Sequence, residues 1–474
     1  MSPARPRVLL AAAAVALAAC GDDGATPADA AIDGPTRPFV RPTPVAVPLS
    51  ATGPDQLQAA VAGPAGSVYA AGFAAAGPAA PRFVVVVKLT AAGALDPTFG
   101  GGDGVATTTL DFRGDNGEVT LAVEPGGALV VAATVAHAGD PDDHDVAVAR
   151  LTADGAVDRG FGDGGVRVLD LTTATDDNGV RAGPDAARGL AIDPTRGAIY
   201  VLALSRAAGT LAGEPRTDTD VTVVKLGRDG AIDAGFGGGD GRFTYDVQLV
   251  TESARGIAVR PDGSVLVSGY ANTPALGSAQ PLLLALDPTG ALVPGFGTGG
   301  VVYQGVLARQ AEVYNLARQG QTDQGVTCGY GRQAGDQNDW LSLRFDLTTG
   351  ARDPSWGGQP HGAVLIDPTG AMIGDNCYGA FALPAGRTLL VGSAGPVNVP
   401  ALQAGFAVLT PTGQLDPWFD PGVHVYDLAA GGLDQFWGAA VSGDHAIVVG
   451  YAAVGAVQTE AGNDDAYALV VPLP

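Results

Sequence analysis

Lysine is almost missing from this 474-residue chain: Lys88 and Lys225 are the only two, and the 26 basic residues face 49 acidic ones. A formal charge of −23 repels phosphate backbones and anionic headgroups, which excludes nucleic acid as a partner. The rarity of lysine fits a GC-rich genome, and no function is read from it. Cysteine is nearly as scarce. Cys20, Cys328 and Cys377, with five His that show no His-x-x-x-His or His-Glu-x-x-His spacing, make no zinc pattern. There is no Gly-x-Ser-x-Gly elbow and no Ser, His and Asp set for nucleophilic catalysis. Glycine-rich stretches such as Phe161-Gly162-Asp163-Gly164-Gly165 lead into strands, so the helix N-terminus that a phosphate cradle needs is missing. Long apolar runs are absent too. The run Val8 to Ala19 is twelve residues, whereas a spanning helix needs about 20.

That run has the flanks of an export signal. Arg5 and Arg7 precede it, and Leu17-Ala18-Ala19-Cys20 follows, then Gly21, Asp22 and Asp23. The tetrapeptide resembles the lipobox of bacterial lipoproteins, which implies cleavage after residue 19, acylation of Cys20 and stable anchoring by two or three chains. Residues 20–43, rich in Asp, Ala and Pro, then read as a lipidated Cys and disordered tether. Without Arg5 and Arg7 the balance is 24 basic against 49 acidic residues. In an exported domain Cys328 and Cys377, 49 residues apart, are a candidate disulfide worth about 4 kcal/mol in the chain-entropy model; two buried free thiols are the alternative.

What is abundant is repetition. A heptapeptide recurs as Ala94–Gly100 (ALDPTFG), Ala156–Gly162 (AVDRGFG), Ala231–Gly237 (AIDAGFG), Ala291–Gly297 (ALVPGFG), Ala351–Gly357 (ARDPSWG) and Gln414–Asp420 (QLDPWFD). The steps are 62, 75, 60, 60 and 63 residues, the mark of one supersecondary unit in tandem. Between the third and fourth copies the chain reads as four strands: Arg242 to Leu249, Arg255 to Arg260, Ser264 to Tyr270 and Leu282 to Leu286. Pro261-Asp262-Gly263 makes a tight hairpin between the second and third. One further unit precedes the first heptapeptide and one follows the last, so 44–474 is expected to form a seven-bladed all-β propeller of four antiparallel strands per blade. A parallel β-helix would not need a tight hairpin inside each repeat. The heptapeptide aromatics, Phe99, Phe161, Phe236, Phe296, Trp356 and Phe419, are expected in the wedge between blades, with the following Gly turning the backbone into the next blade.

Strand, Asp-Gly turn, strand, then Leu-Asp-x-x-Phe-Gly resembles the delta-60 repeat family of bacterial exported proteins over nearly all of residues 44–474. The departures are Val293 for the motif Asp, Trp356 for Phe and Asp420 for the final Gly. The resemblance implies a propeller-like architecture and an envelope or secreted location, and no agreed activity.

Acidic residues cluster before the fourth strand of the unit: Asp140, Asp142, Asp143 and Asp145; Asp218 and Asp220; Asp336 and Asp339; Asp464 and Asp465. Asp145, Asp220, Asp339 and Asp465 recur in register, which favours a structural role accepting backbone N–H groups; calcium at Asp140, Asp142 and Asp143 is the alternative. His361 and His424, 63 residues apart, hold equivalent places in adjacent units and are a second candidate metal pair if first strands line the channel. Paired carboxylates from different blades would leave no mark in sequence spacing. The expectation is a non-enzymatic lipoprotein of the cell envelope, at the outer membrane or cell surface, binding an envelope protein or polysaccharide through loops such as Ala136 to His144, Ala207 to Thr219 and Ala453 to Asp464. The alternative is a hydrolase or lyase acting on glycans or lactones in the central funnel.

Overall fold

Third strands of the repeat are continuous apolar runs, such as Val84-Val85-Val86-Val87 and Leu282-Leu283-Leu284-Ala285-Leu286, all buried. Such a strand needs cover on both faces. The strand after each heptapeptide alternates instead: in Val105–Asp111, Ala106, Thr108 and Leu110 are buried and Thr107 and Thr109 exposed, as at a half-covered rim. The computed structural model describes residues 38–474 apart from 114–117, 173–184, 208, 212–213, 217, 248–249, 274–277, 333–336, 371–373, 396–401, 430–431 and 455–462. The signal segment 1–19, Cys20, the tether to residue 37 and Asp336 lie outside the described residues.

These strands form seven four-stranded antiparallel sheets. Blade 1 runs from the axis outward through Asp55–Ala62, Val68–Ala75, Arg82–Leu89 and Val105–Asp111. Blade 2 is Thr120–Val123, Leu129–His137, Asp140–Leu151 and Val166–Leu169; blade 3 is Ala186–Ile192, Ile199–Arg206, Thr219–Leu226 and Arg242–Tyr245. Blade 4 is Glu252–Val259, Val265–Thr273, Ser278–Leu286 and Val301–Tyr303. Blade 5 is Gln310–Ala311, Gly329–Arg332, Asp339–Ser342 and Val364–Ile366, its first three chain passes extended by the three-stranded sheet Leu316–Arg318, Gln324–Thr327 and Arg344–Asp346. Blade 6 is Asn376–Ala382, Thr388–Ala394, Gln403–Leu409 and Val423–Tyr426.

Blade 7 is closed by the two ends of the chain. Leu433–Ser442, His445–Val454 and Asn463–Pro472 supply three strands, and Val45–Ala46 adds the outer one, with Val45 opposite Ala468 and Ala46 opposite Tyr467. Seven hydrophobic clusters fill the seven junctions between consecutive blades, including the one between blades 7 and 1 around Val47, Leu57, Ile447 and Ala468. This is a closed β-propeller.

Three expectations change. The repeat as read from sequence is out of phase with the blade: Arg242–Tyr245 is the outer strand of blade 3, paired with Val221–Val224, and not the first strand of blade 4. The heptapeptide therefore turns the chain into the outer strand of its own blade. A Cβ on Gly237 would lie 1.6 Å from the Arg242 carbonyl oxygen of that strand, and on Gly100 2.0 Å from that of Val105, which is why Gly recurs there. Second, the folded unit begins at Phe39 and not at residue 44. The Phe39 ring packs on Trp418, Phe419 and His424 with centroids 5.5, 5.2 and 4.9 Å away, so residues 39–43 are not free tether. Third, Ala136 to His144 is no open loop. Gly139, at φ 93°, lets the strands Leu129–His137 and Asp140–Leu151 run together to His137 opposite Asp140.

The aromatics do sit between blades, held by a repeated device. The second heptapeptide residue bridges the last residue of the third strand, as in Leu95 with Leu89 and Ile232 with Leu226. That puts the motif Asp beside a basic residue: Lys88 Nζ is 2.9 Å from Asp96, Arg150 Nη2 2.7 Å from Asp158, Lys225 Nζ 2.9 Å from Asp233, and Arg344 Nε 2.9 Å from Asp353. The same cations lie over the motif ring in blades 2, 3 and 5. Where Val293 replaces Asp, the facing residue is Ala285, so the departure removes both partners together. The motif Gly N–H then donates to the next blade's turn, Gly100 to Asp154, Gly162 to Asp229, Gly237 to Thr289, Gly297 to Thr349 and Gly357 to Thr412. In the sixth heptapeptide, of blade 6, Asp420 stands in the place of this Gly.

Candidate functional site

Antiparallel meanders put alternate connections on opposite faces. One face carries the Asp-Gly turns and the heptapeptides; the other carries the second-to-third strand loops and the entries into the inner strands. Chemistry gathers on the second face, at the axis.

Five inner strands carry a β-bulge near their start, at Gln58, Arg188, Arg255, Tyr378 and Trp437. A bulge re-aims one side chain without ending the pairing. Arg188, Arg255, Tyr378 and Trp437 are each followed by Gly, because neighbouring inner strands converge there: a Cβ on Gly256 would stand 2.8 Å from Asn315 Cα, on Gly379 2.9 Å from Trp437 O, and on Gly438 2.7 Å from Ala60 N. Glu118 accepts from Arg188 Nη1 at 3.1 Å and Arg255 Nη1 at 2.6 Å. The Arg255 guanidinium lies 4.6 Å over the Tyr314 ring and 5.8 Å over Trp437. Tyr378 and Trp437 stack at 4.3 Å and 6°, both half-buried. Beside them Glu312 accepts from Gln310 (2.6 Å), Tyr330 (2.7 Å) and Tyr314 (3.2 Å), while burial pushes its carboxyl above the usual range.

None of these axial residues stood out in the sequence. The only signal there was the pair of a large residue and Gly opening the hairpin in blades 3, 4, 6 and 7, and it has meaning only once the bulge is seen.

Three residues before each bulge lies a buried acid: Asp55, Asp185, Glu252, Asp375 and Asp434. These tie the incoming connection to the new strand. Asp55 accepts from Ser50 N (2.8 Å) and Ala466 N (2.7 Å), Asp185 from Leu171 N (2.6 Å) and Thr172 N (3.0 Å), Glu252 from Val247 N (2.7 Å) and Asp434 from Leu428 N, while Asp375 accepts from Gly395 N (2.8 Å). Burial pushes Asp55 up to about 6, Asp185, Asp375 and Asp434 up to about 7, and Glu252 up to about 9. Folded-state values above the unfolded ones mean the folded chain holds extra protons from about pH 4 to 7 at the aspartates and up to about pH 9 at Glu252, so stability falls as pH rises through that window. The motif acids work oppositely: hydrogen bonds from Lys88 and Thr98 hold Asp96 at about 2, and its contribution is lost only below about pH 4. Melting temperature is therefore expected to peak near pH 4 to 5 and to be roughly 5 °C or more lower at pH 8. Asp375→Asn, which keeps an acceptor for Gly395 but cannot titrate, should flatten the slope; an unaltered slope would leave repulsion by net charge as its cause.

Among the described residues, those expected to bind metal do not form one of the groups that could hold an ion. His424 lies in the outer strand of blade 6, its Nε2 donating to the Phe419 carbonyl at 3.0 Å, and His361 lies exposed in a turn before the outer strand of blade 5. Outer strands face the rim, so the one-strand phase shift moves both away from the channel. Asp143 is buried and accepts the His144 N–H at 2.9 Å; Asp140 opens a strand, and the side chain of Asp142 lies outside the described residues. Among the described residues two groups bring possible ligand atoms within 4.8 Å of one another: His137, Asp145 and Asp170, and Asp218, Asp220 and Asp246. Two of the in-register acids thus appear, each already matched, Asp145 with His137 at 3.0 Å and the second group with Arg216. Cys328 and Cys377 are free thiols, fully buried between blades 5 and 6, and neighbours: after burial, the Cys377 thiol is the next cause that pushes Cys328 up.

No family model and no curated protein matches this chain. Among solved structures it is similar to the polysaccharide lyase Uly1 at 10% identity, covering 88% of this chain and 90% of that one with a TM-score of 0.47. The β-propeller domain of the Trilobed protease from Pyrococcus furiosus matches at 8% identity over 88% and 94% with a TM-score of 0.42, and the acylaminoacyl peptidase of Pyrococcus horikoshii at 9% over 84% and 51% with 0.39.

Proposed function

We propose that this chain is a lipoprotein of the bacterial cell envelope, anchored through Cys20, whose propeller binds a polysaccharide at the axial mouth. The observation that carries this reading is the Tyr378–Trp437 stack beside Arg255 and Glu118. A half-buried aromatic face packs the C–H side of a sugar ring, while convergent charged groups orient its hydroxyls; this is the usual composition of a small-ligand site. The acid pairs and rings of the other face are committed to holding blades together. The reading extends the repeat resemblance, which implies an envelope location.

Glycan-array screening of the unit from residue 38, followed by calorimetry on the hits, tests it. Trp437→Ala is expected to weaken binding at least about tenfold while leaving the melting temperature within a few degrees. Binding only to envelope proteins would replace the polysaccharide by a protein partner. Time-dependent appearance of new reducing or unsaturated ends would replace binding by hydrolysis or lysis.

A further inference from the structure

At the axis of this acidic protein two guanidiniums meet at one carboxylate. Arg188 is 7% exposed and Arg255 half-buried, yet among the described residues the two share a single carboxylate, Glu118, and each leaves its buried Nε without a hydrogen-bond partner. Burying a guanidinium costs several kcal/mol unless it is paired, and two that repel each other across one anion are underpaired. The remaining nearby carboxyl, Glu312, is engaged by Gln310, Tyr314 and Tyr330 and forms no ion pair within the described residues. A planar fork with unfilled donors next to an aromatic platform matches a carboxylate on a ring.

We propose that the axial mouth recognises the carboxylate of a uronic acid residue, with Arg255 and Arg188 as its counter-charge and the Tyr378–Trp437 pair beneath the sugar ring. The inference rests on the polysaccharide reading above and names its class: an acidic glycan, not a neutral one. The ligand carboxylate would give the two guanidiniums a second ion-pair partner beside Glu118. Arg255 is the more exposed of the two, its side chain 20% exposed against 8% for Arg188, so it makes the direct contact, and Arg188 holds Glu118 in place behind it.

Calorimetry compares four probes with the unit from residue 38: an oligogalacturonate, a neutral oligosaccharide of equal length, free galacturonate and inorganic phosphate. The oligogalacturonate is expected to bind at least about tenfold tighter than the neutral chain. Arg255→Gln should abolish that difference, and Arg255→Lys, which keeps the charge and loses the fork, should restore part of it. Equal affinity for the acidic and neutral chains overturns the uronate assignment and leaves the polysaccharide reading standing. Free galacturonate or phosphate binding as tightly as the oligomer overturns the polymer as the source. Binding of none of the probes overturns the polysaccharide reading and the inference together. The acidic-to-neutral ratio is measured on the unaltered protein, so it decides even where a variant fails to fold.

Discussion

A chain that starts at Pro48 is expected to lose its cooperative melting transition or to melt at least about 10 °C lower, whereas one that starts at Pro38 should melt like the full-length protein. Ten residues carry this difference. Removing them takes away Val45–Ala46, the outer strand of blade 7, together with the Val47 N–H bond to Ala466 at 2.8 Å. It also uncovers the junction of blades 7 and 1, where Val47 is 1% exposed, and strips Phe39 and Arg41 from Trp418, Phe419 and Tyr426. Burying Val47 is worth about 1.5 to 3 kcal/mol, the partly buried Phe39 adds less, and the lost hydrogen bonds cost about 1 kcal/mol each. Domains typically have about 5 to 15 kcal/mol in total. The truncation also bares the edge of Asn463–Pro472, an apolar strand that would template association. Thermal melting with size-exclusion chromatography reads both effects, and a monomeric truncated chain of unchanged melting temperature would refute closure by the N-terminal strand.

The second large effect lies in the wedge. Phe236→Ala is expected to destabilise the protein by about 3 to 5 kcal/mol, in the range for a fully buried ring. Phe236 is wholly buried, 5.8 Å from the Tyr200 centroid, under Lys225 Nζ at 5.8 Å, and against Gly290 of blade 4, where a Cβ would come within 3.0 Å of the ring. Gly290→Ala alone should also destabilise, since φ there is +87° and its Cβ would stand 2.6 Å from Gly237 N. The two substitutions are expected to be less costly together than their sum by about 1 kcal/mol, because the cavity left by the ring accepts the new methyl. Urea unfolding of the cycle measures the coupling; strict additivity would mean that ring and turn do not meet, contrary to the knuckle that joins each blade to the next.

Much of this fold was legible before any coordinate. Six heptapeptides in register disclosed the period, and the aromatic wedge followed from one large ring per repeat. Phase was not legible. Nothing in the composition of the strand after the heptapeptide says whether it closes one blade or opens the next, and only hydrogen bonding between Val221–Val224 and Arg242–Tyr245 assigns the latter to blade 3. The error propagated: with first strands misassigned, His361 and His424 were placed at the channel when they lie at the rim. Phe39 was hidden for a related reason, since a lone aromatic in a Pro-rich stretch has no periodicity to declare that Trp418 and Phe419 await it.

By itself the sequence determined the repeat, its strand-rich character, the turns that need glycine and the negative charge that turns nucleic acid away, because these depend on local patterns or sums. Tertiary structure decided the phase of the blades, the joining of the two termini in blade 7, and the meeting of Glu118, Arg188, Arg255, Tyr378 and Trp437 at the axis. Those residues come from five different blades, spread over more than 300 positions of chain. Ring closure alone gives them a common neighbourhood, and the bulges at Arg188, Arg255, Tyr378 and Trp437 aim those four inward beside Glu118.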